Sequence, residues 1–432
     1  MKKIKVLWIC NVPLPQIAKK LALPIPFICG WISGLANSLK TNDQIDLHVA
    51  FPVLGLKESF SGKIDGFKYY AFNQPRLYGM LPVEDSKHSS VRMKKHISKI
   101  IADVQPSVLH IFGTEYPHAL LAAQTFHCPE RTVVHIQGLT SFIWKHYNVG
   151  IPYKELTRFT LSNLIRGNLL QQAYRMKQRG ELEIKVLQYV NHIIGRTDWD
   201  AACTYQLNPR AVYHACNESL RNAFYTGSWN YMKCQKYSIF MSQASYPVKG
   251  LHLMLEALSQ IVCDFPQAHL YVAGNDLTRT NTLYDKLKIS SFGKYIKRII
   301  SSYNLTTHVT FTGPLAEKEM KERFLKSHVF VCPSTIENSP NSLGEAMLLG
   351  MPCVAADVGG IKNMLHHGVD GYVYPADEPY MLAYYIKKLF SDLEQSCSFG
   401  RTAQNHANIT HNREINLRNL IKIYKNIIHE EN

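Results

Sequence analysis

Residues Cys332 to Pro375 read CPSTIENSPNSLGEAMLLGMPCVAADVGGIKNMLHHGVDGYVYP. Glu337 and Glu345 stand eight positions apart, across a loop rich in Ser, Pro and Asn. The run His328–Cys332 predicts a strand just before the first glutamate. A helix starting near Ser342 puts the second glutamate in its first turn. Gly350, the apolar stretch Pro352–Ala356 and the pair Gly359–Gly360 follow. A helix start presents unpaired N–H groups and the positive end of a dipole, which suits a phosphate. A carboxylate beside a phosphate repels it, so the glutamates are expected to accept hydrogen bonds from hydroxyls. Sugars and ribose are the obvious donors. An ordinary helix start with acidic residues in its first turn is the plainer reading of the same letters.

Outward from this stretch the chain alternates short apolar runs with helical patterns. Expected strands are Ile4–Cys10, Ile45–Phe51, Val108–Phe112, Val133–Ile136 and His192–Gly195 in the first half. Ser238–Met241, Leu270–Ala273, Val309–Thr312, Val329–Cys332, Cys353–Ala355 and Gly371–Val373 follow in the second. That alternation predicts an α/β protein with parallel sheets covered on both faces. Ligands in such folds bind beyond the carboxyl ends of the strands. A chain of 432 residues is long for one core, so two domains are expected. Ala223–Lys236 lacks clean periodicity and reads as the linker. The boundaries are therefore set at residues 1–225, 226–411 and a terminal amphipathic helix in 412–432.

The two glutamates in this setting resemble the E-x7-E signature of family 4 glycosyltransferases. The resemblance covers nearly the whole chain and is strongest over residues 238–375. It implies the GT-B fold: two Rossmann-like, doubly wound domains, an interdomain cleft and a C-terminal helix that crosses back to the first domain. It also implies transfer of a sugar from a nucleotide-diphosphate sugar, with retention at the anomeric carbon and without a metal. No cofactor is expected beyond that co-substrate, a UDP- or GDP-sugar. By the same resemblance Glu337 lies near the donor sugar, with the backbone of Ser339, Pro340, Asn341 and Ser342, and Glu345 holds the ribose. The first half looks most like enzymes that build bacterial capsular or other cell-surface polysaccharide, so the acceptor is a glycan or a polyprenyl-diphosphate-linked one. A glycogen-synthase-like polymerising enzyme and a degenerate GT-B domain that binds sugar without turnover are the alternatives. A dehydrogenase is disfavoured, because no G-x-G-x-x-G follows the first strand.

Further residues carry the resemblance or depart from it. Lys249, in Tyr246–Gly250 (YPVKG), takes the place of the cation that holds the donor diphosphate. A cation there neutralises the departing charge. The family's Arg five residues earlier is Ala244 here. Arg196 is a candidate to replace it, or else a member of a structural ion pair. Gly30 matches half of the family's Gly-Gly loop, with Cys29 in the other half. Gln137 stands where the family often carries a His; it can hydrogen-bond a hydroxyl but cannot transfer a proton. Glu115 and His118 follow a strand end and are candidates to read acceptor hydroxyls. Equally, Thr114 reads as a helix cap with Glu115 in the first turn. Asp198-Trp199-Asp200 imitates a metal-binding D-x-D, but lies at a strand-to-helix junction where Thr197 or Asp198 would cap the helix. His366, His367, His406 and His411 have no evident partners for a metal, and none is expected.

Composition fits a large soluble enzyme. Ten cysteines are scattered without a C-x-x-C pair, as in a reducing cytosol. Leu21–Leu39 is uncharged but carries two prolines and several polar residues, which favours a loop and a buried helix over a membrane span. Residues 1–225 hold 27 Lys/Arg against 15 Asp/Glu, a net of +12, while residues 226–432 hold 21 against 18, a net of +3. A basic half implies an anionic partner. Lys154–Arg179 has six basic residues and one acid among apolar residues at helical spacing. That is the pattern of a helix lying on an anionic bilayer, or of a solvated basic face. No nucleic-acid-binding signature accompanies the charge. The expected location is cytoplasmic, peripheral at the inner face of the plasma membrane.

Overall fold

The computed structural model describes residues 3–24, 30–40, 42–74 and 87–429. The chain forms two compact units. The first comprises Met1–Phe142, Arg175–Ser219 and Asn412–Asn432; the second comprises Ile143–Tyr174 and Leu220–His411.

The first unit is built on β1 (Ile4–Ile9), β2 (Ile45–Leu54), β3 (Phe60–Ile64), β4 (Phe67–Gln74), β5 (Val108–Phe112), β6 (Thr132–His135), β7 (His192–Gly195) and β8 (Val212–Ala215). The sheet order is β3-β4-β2-β1-β5-β6-β7-β8. Among the described strand pairs of this sheet only β3–β4 is antiparallel. Successive residues of β1 serve opposite faces: Val6 and Trp8 enter one core with Leu420 and Tyr424, Leu7 and Ile9 the other with Ile97 and Ala119. Burial on both faces is why β1 reads as a continuous apolar run. The terminal helix Arg413–His429 belongs to this unit, where Tyr424 Oη accepts from Trp8 Nε1 at 3.0 Å and meets His110 Nδ1 at 2.6 Å.

The strands β3, β4 and β8 were not expected. The β3–β4 hairpin turns at Asp65-Gly66, both at positive φ, the dipeptide that favours tight hairpins. β8 is a short edge strand with no buried residue, so it carries no apolar signal.

The second unit has a parallel sheet of β9 (Gln235–Met241), β10 (His269–Val272), β11 (Val309–Phe311), β12 (Ser327–Cys332), β13 (Cys353–Asp357) and β14 (Tyr372–Pro375), in the order β11-β10-β9-β12-β13-β14. The winding runs outward one way from β9 through β10, and the other way from β12 through β13. β9 and β12 therefore flank the switch point, where a doubly wound sheet opens a crevice at its carboxyl edge.

Three expectations about organisation fail. The stretch expected as a linker contributes to the second core through Phe224 and Trp229, and Trp229 Nε1 donates to Ser327 O at 2.8 Å. Buried aromatics hold it, so the units divide at Ser219–Leu220. Ile143–Tyr174 packs with the second unit, not the first. His252 Nε2 meets Val149 O at 2.8 Å, Thr335 Oγ1 donates to His146 O at 2.8 Å and Ser162 Oγ to Ile289 O at 2.9 Å. Finally, Lys154–Arg179 is not one amphipathic helix but Tyr153–Leu156, Asn163–Arg166 and the start of Leu169–Tyr189. Its single acid, Glu155, is buried and pairs with Arg158 and Arg298.

Among the described residues no helix is long and apolar enough to cross a membrane. Leu21–Leu39 falls partly in the helix Gly30–Lys40 and partly outside the described residues, as does Cys29.

Candidate functional site

In the second unit β9 and β12 each end in a connection that carries a charged side chain. After β9 comes a 3-10 turn, Pro247–Lys249, closed by Gly250 at φ 72°. A Cβ on Gly250 would sit 1.8 Å from the Pro333 carbonyl oxygen. Glycine thus lets the β9 turn touch the β12 loop, and Thr335 N donates to Val248 O at 2.8 Å. After β12 the loop runs to the helix Asn341–Leu348, with Pro340 before its first turn. Gly359 answers from the next connection. Its φ is 52°, a Cβ there would lie 1.9 Å from Glu337 O, and Gly360 N donates to that oxygen at 3.1 Å.

These clamps bring Lys249 and Glu337 together. Lys249 Nζ donates to Glu337 Oε1 at 2.5 Å, and Ser334 Oγ donates to the same oxygen at 2.7 Å. Both side chains keep some exposure, 17% and 13%. Burial works against the ammonium, but Glu337 and Tyr246 outweigh it and raise the Lys249 pKa above the ordinary lysine value. Lys249 is therefore a fixed cation with a carboxylate beside it, at the carboxyl edge of the central strands. Ala244, where the resemblance expects an arginine, is 3% exposed, so a larger side chain there needs room the fold does not offer.

Glu345 was expected in the first turn, but the helix starts at Asn341, which sets Glu345 one turn in. Its carboxylate is buried and takes a two-pronged grip from Arg221, with Nε to Oε1 and Nη2 to Oε2 both at 2.6 Å. Burial pushes the Glu345 pKa up in spite of Arg221. Arg221 was missed by sequence reasoning, lying at the edge of the stretch set aside as a linker. Ser339 Oγ meets Met364 Sδ at 3.3 Å. Asn341 and Ser342 open the helix, where backbone N–H groups have no partner within it.

In the first unit the candidates divide. The Arg196 side chain, 2% exposed, is ion-paired with Glu218, itself 2% exposed. Glu218 also binds Gln137 Nε2 and, at 3.2 Å, His135 Nε2. Burial alone would raise the Glu218 pKa; Arg196 and His135 bring it down to about 2. Arg196 and Gln137 are therefore committed to a sealed cluster around Glu218, a residue that nothing in the sequence marked. His118 is also buried, its ring stacked on Tyr116 at 5.4 Å, and burial pulls its pKa to about 3. It is a packing residue rather than an acceptor contact.

Thr114 does not cap the next helix, which starts at Pro117 behind Tyr116. It donates instead to the buried Glu183 at 2.9 Å, and Ser141 does so through Oγ at 2.6 Å. Glu115, half-buried, is pushed up to about 7 by burial and by the Glu183 carboxylate. Asp198-Trp199-Asp200 opens the helix Asp198–Leu207 as expected of a cap: Thr197 and Asp200 form a reciprocal capping box, and Asp200 also accepts from Tyr213 Oη at 2.5 Å. Gly30 opens the helix Gly30–Lys40. His366 and His406, expected to lack partners for a metal, instead converge with Asp370.

Residues 232–406 match the family model described as glycosyl transferases group 1. The chain is 26% identical over 194 residues to "Spore coat protein SA" of Bacillus subtilis (strain 168), across 44% of this chain and 49% of that protein. The chain spans about half the length of curated relatives such as this one. The fold is similar to that of sucrose-phosphate synthase from Thermosynechococcus elongatus, with TM-score 0.70, 14% identity and coverage of 98% of this chain and 99% of that one. It is similar also to Anabaena HepE in complex with UDP and glucose, with TM-score 0.66, 16% identity and coverage of 98% and 99%. The chain has the GT-B fold.

Proposed function

We propose that this chain is a retaining, metal-independent glycosyltransferase. It moves a sugar from a nucleotide-diphosphate sugar to a glycan or lipid-linked acceptor in cell-surface polysaccharide biosynthesis. The observation that carries this reading is the Lys249–Glu337 pair, half-open at the ends of β9 and β12. It stands beside the helix that holds Glu345, in the region matching glycosyl transferases group 1.

The chemistry follows from those groups. As the bond between the anomeric carbon and the diphosphate oxygen breaks, negative charge grows on the diphosphate. Lys249 and the N–H groups at Asn341 and Ser342 stabilise it. The acceptor hydroxyl oxygen bonds to the anomeric carbon on the face the leaving group vacates, and its proton passes to the departing phosphate oxygen. Glu337 holds sugar hydroxyls, and Glu345 holds the ribose. Among the described residues Lys249 Nζ has one hydrogen-bond acceptor, Glu337, for its three N–H donors, so a diphosphate joins the pair without displacing the carboxylate. Glu115 is the acceptor-side group this reading retains, because it remains partly exposed at a strand end.

A lipid-linked acceptor and an anionic membrane surface as partner are supported by Tyr153–Tyr174. There Tyr153, Phe159, Leu161, Leu164 and Ile165 are each more than half exposed, with Lys154 next to the first and Arg166 next to the last. Apolar side chains flanked by basic ones suit a headgroup boundary, which supports a working location at the inner face of the plasma membrane.

A thermal-shift screen of nucleoside diphosphates, followed by transfer assays with the matching UDP- or GDP-sugars, tests the reading. A nucleotide at about 100 times its Kd stabilises by about 2.7 kcal/mol. Wild-type protein that no nucleoside diphosphate stabilises would overturn it. Stabilisation without transfer to any acceptor would favour the sugar-binding alternative.

A further inference from the structure

We propose that His366, Asp370 and His406 form a binding site for a divalent transition metal of the zinc type. The three residues come from two elements of the second unit: the turn before β14 supplies His366 and Asp370, and the helix Leu393–Thr410 supplies His406. One ligand atom from each lies within 4.8 Å of the others. Asp370 is buried, 1% exposed. Its Oδ1 accepts from the His366 backbone N at 2.6 Å, which fixes the carboxylate, and its Oδ2 faces His406 Nδ1 at 2.8 Å and His366 Nδ1 at 3.4 Å. The two imidazole rings lie nearly parallel, 4.8 Å apart at 11°.

Two imidazole nitrogens and one carboxylate oxygen are a preferred ligand set for zinc. Bonds of about 2.0–2.2 Å place tetrahedral ligand atoms about 3.3–3.5 Å apart. His366 Nδ1 already stands at that distance from Asp370 Oδ2, and His406 Nδ1 has to move back by about half an ångström. The His366 side chain is 54% exposed, so it can swing to close the set, and water can reach the fourth position. The Oδ1 hydrogen bond is the kind of outer contact that orients a metal-bound carboxylate.

The site shares no residue with Lys249, Glu337 or Glu345, so it is separate from the transfer chemistry proposed above. Its effect is mechanical. The helix bearing His406 backs the helix bearing Glu345: Gln404 Nε2 donates to Leu348 O at 2.8 Å, and a Cβ on Gly400 would lie 2.2 Å from Gly350 O. A metal ties that backing helix to the turn before β14.

The test uses the untagged, chelator-treated full chain with cobalt(II) and zinc(II). The expected result is one equivalent of metal, the visible absorption of tetrahedral cobalt, and a raised melting temperature with zinc. His366→Gln and His406→Gln should each weaken binding at least about tenfold and remove the cobalt absorption, while His127→Gln, at an exposed histidine elsewhere, leaves both unchanged. Should His406→Gln fail to fold, His366→Gln decides alone, because its ring is mostly in solvent. Absence of cobalt absorption in the wild type overturns the proposal, leaving only a hydrogen-bonded triad. Binding that both variants retain overturns it too.

Discussion

Each unit holds a cation paired with a carboxylate near the carboxyl end of its sheet, and the two pairs differ in how far water reaches them. Arg196 and Glu218 are each 2% exposed, and Glu218 is further bound by His135 and Gln137. Lys249 and Glu337 are 17% and 13% exposed, and their only other side-chain hydrogen bond described is from Ser334. The chemistry is alike, but a sealed pair has spent its charge on the fold. A half-open pair keeps donors directed at whatever enters. Breaking a sealed pair leaves an uncompensated buried charge, whereas breaking an open one lets water in. The first is expected to cost stability and the second to cost turnover.

The largest effect should come from the sealed pair. Glu218→Gln leaves the buried Arg196 unneutralised and is expected to destabilise the protein by about 3–5 kcal/mol, measured by denaturant unfolding. A change below about 1 kcal/mol would mean that water reaches the cluster and that the contrast is false. Lys249→Ala is the matching break in the open pair. It should lower kcat by about 10²–10³-fold while leaving the unfolding midpoint close to wild type. Near-normal turnover in that variant would remove Lys249 from the mechanism.

Glu345→Ala sharpens the comparison, since Arg221 grips Glu345 as tightly as Arg196 grips Glu218. Loss of a charge-assisted bond to ribose should weaken nucleoside diphosphate binding by about 1.5–3 kcal/mol, with a 2′-deoxy analogue losing less. Equal losses for both nucleotides would assign Glu345 to Arg221 alone.

The effect that is smallest at each step, taken per pH unit, concerns Glu115. Its folded pKa of about 7 lies above the ordinary 4.5. Between those values the folded state holds a proton that the unfolded state has released, so stability falls as pH rises from about 4.5 to about 7 and then levels off. Glu115→Gln should remove that slope, at most about 1.4 kcal/mol per pH unit. The stability difference between wild type and variant, followed across this range, reads it out. A difference independent of pH would show that Glu115 titrates normally.

Much of this architecture was legible locally. β1, β5 and β7 announced themselves as apolar runs because both faces of the sheet are covered. Lys249 and Glu337 were singled out by the family resemblance of Tyr246–Gly250 and of the loop after β12, both short local patterns. The helix at Asp198 was legible from its cap. By contrast β8 packs too little apolar surface to be noticed. Ile143–Tyr174 carries no mark of which unit it joins, since its anchors are hydrogen bonds to His252, Thr335 and Ile289 far along the chain.

The sequence by itself determined the two-sheet α/β layout, the position of the loop bearing Glu337 and the cation that meets it. The layout and the loop follow from periodicity and helix-start chemistry, and the cation from the family resemblance carried by Tyr246–Gly250; all of these act over a few residues. Tertiary structure alone decided which charges are closed and which stay open. Arg196 with Glu218, Arg221 with Glu345, and His366 with Asp370 and His406 are partnerships across 22, 124 and up to 40 positions. A side chain's pairing and its dielectric depend on what the fold packs around it, and short-range sequence pattern carries neither.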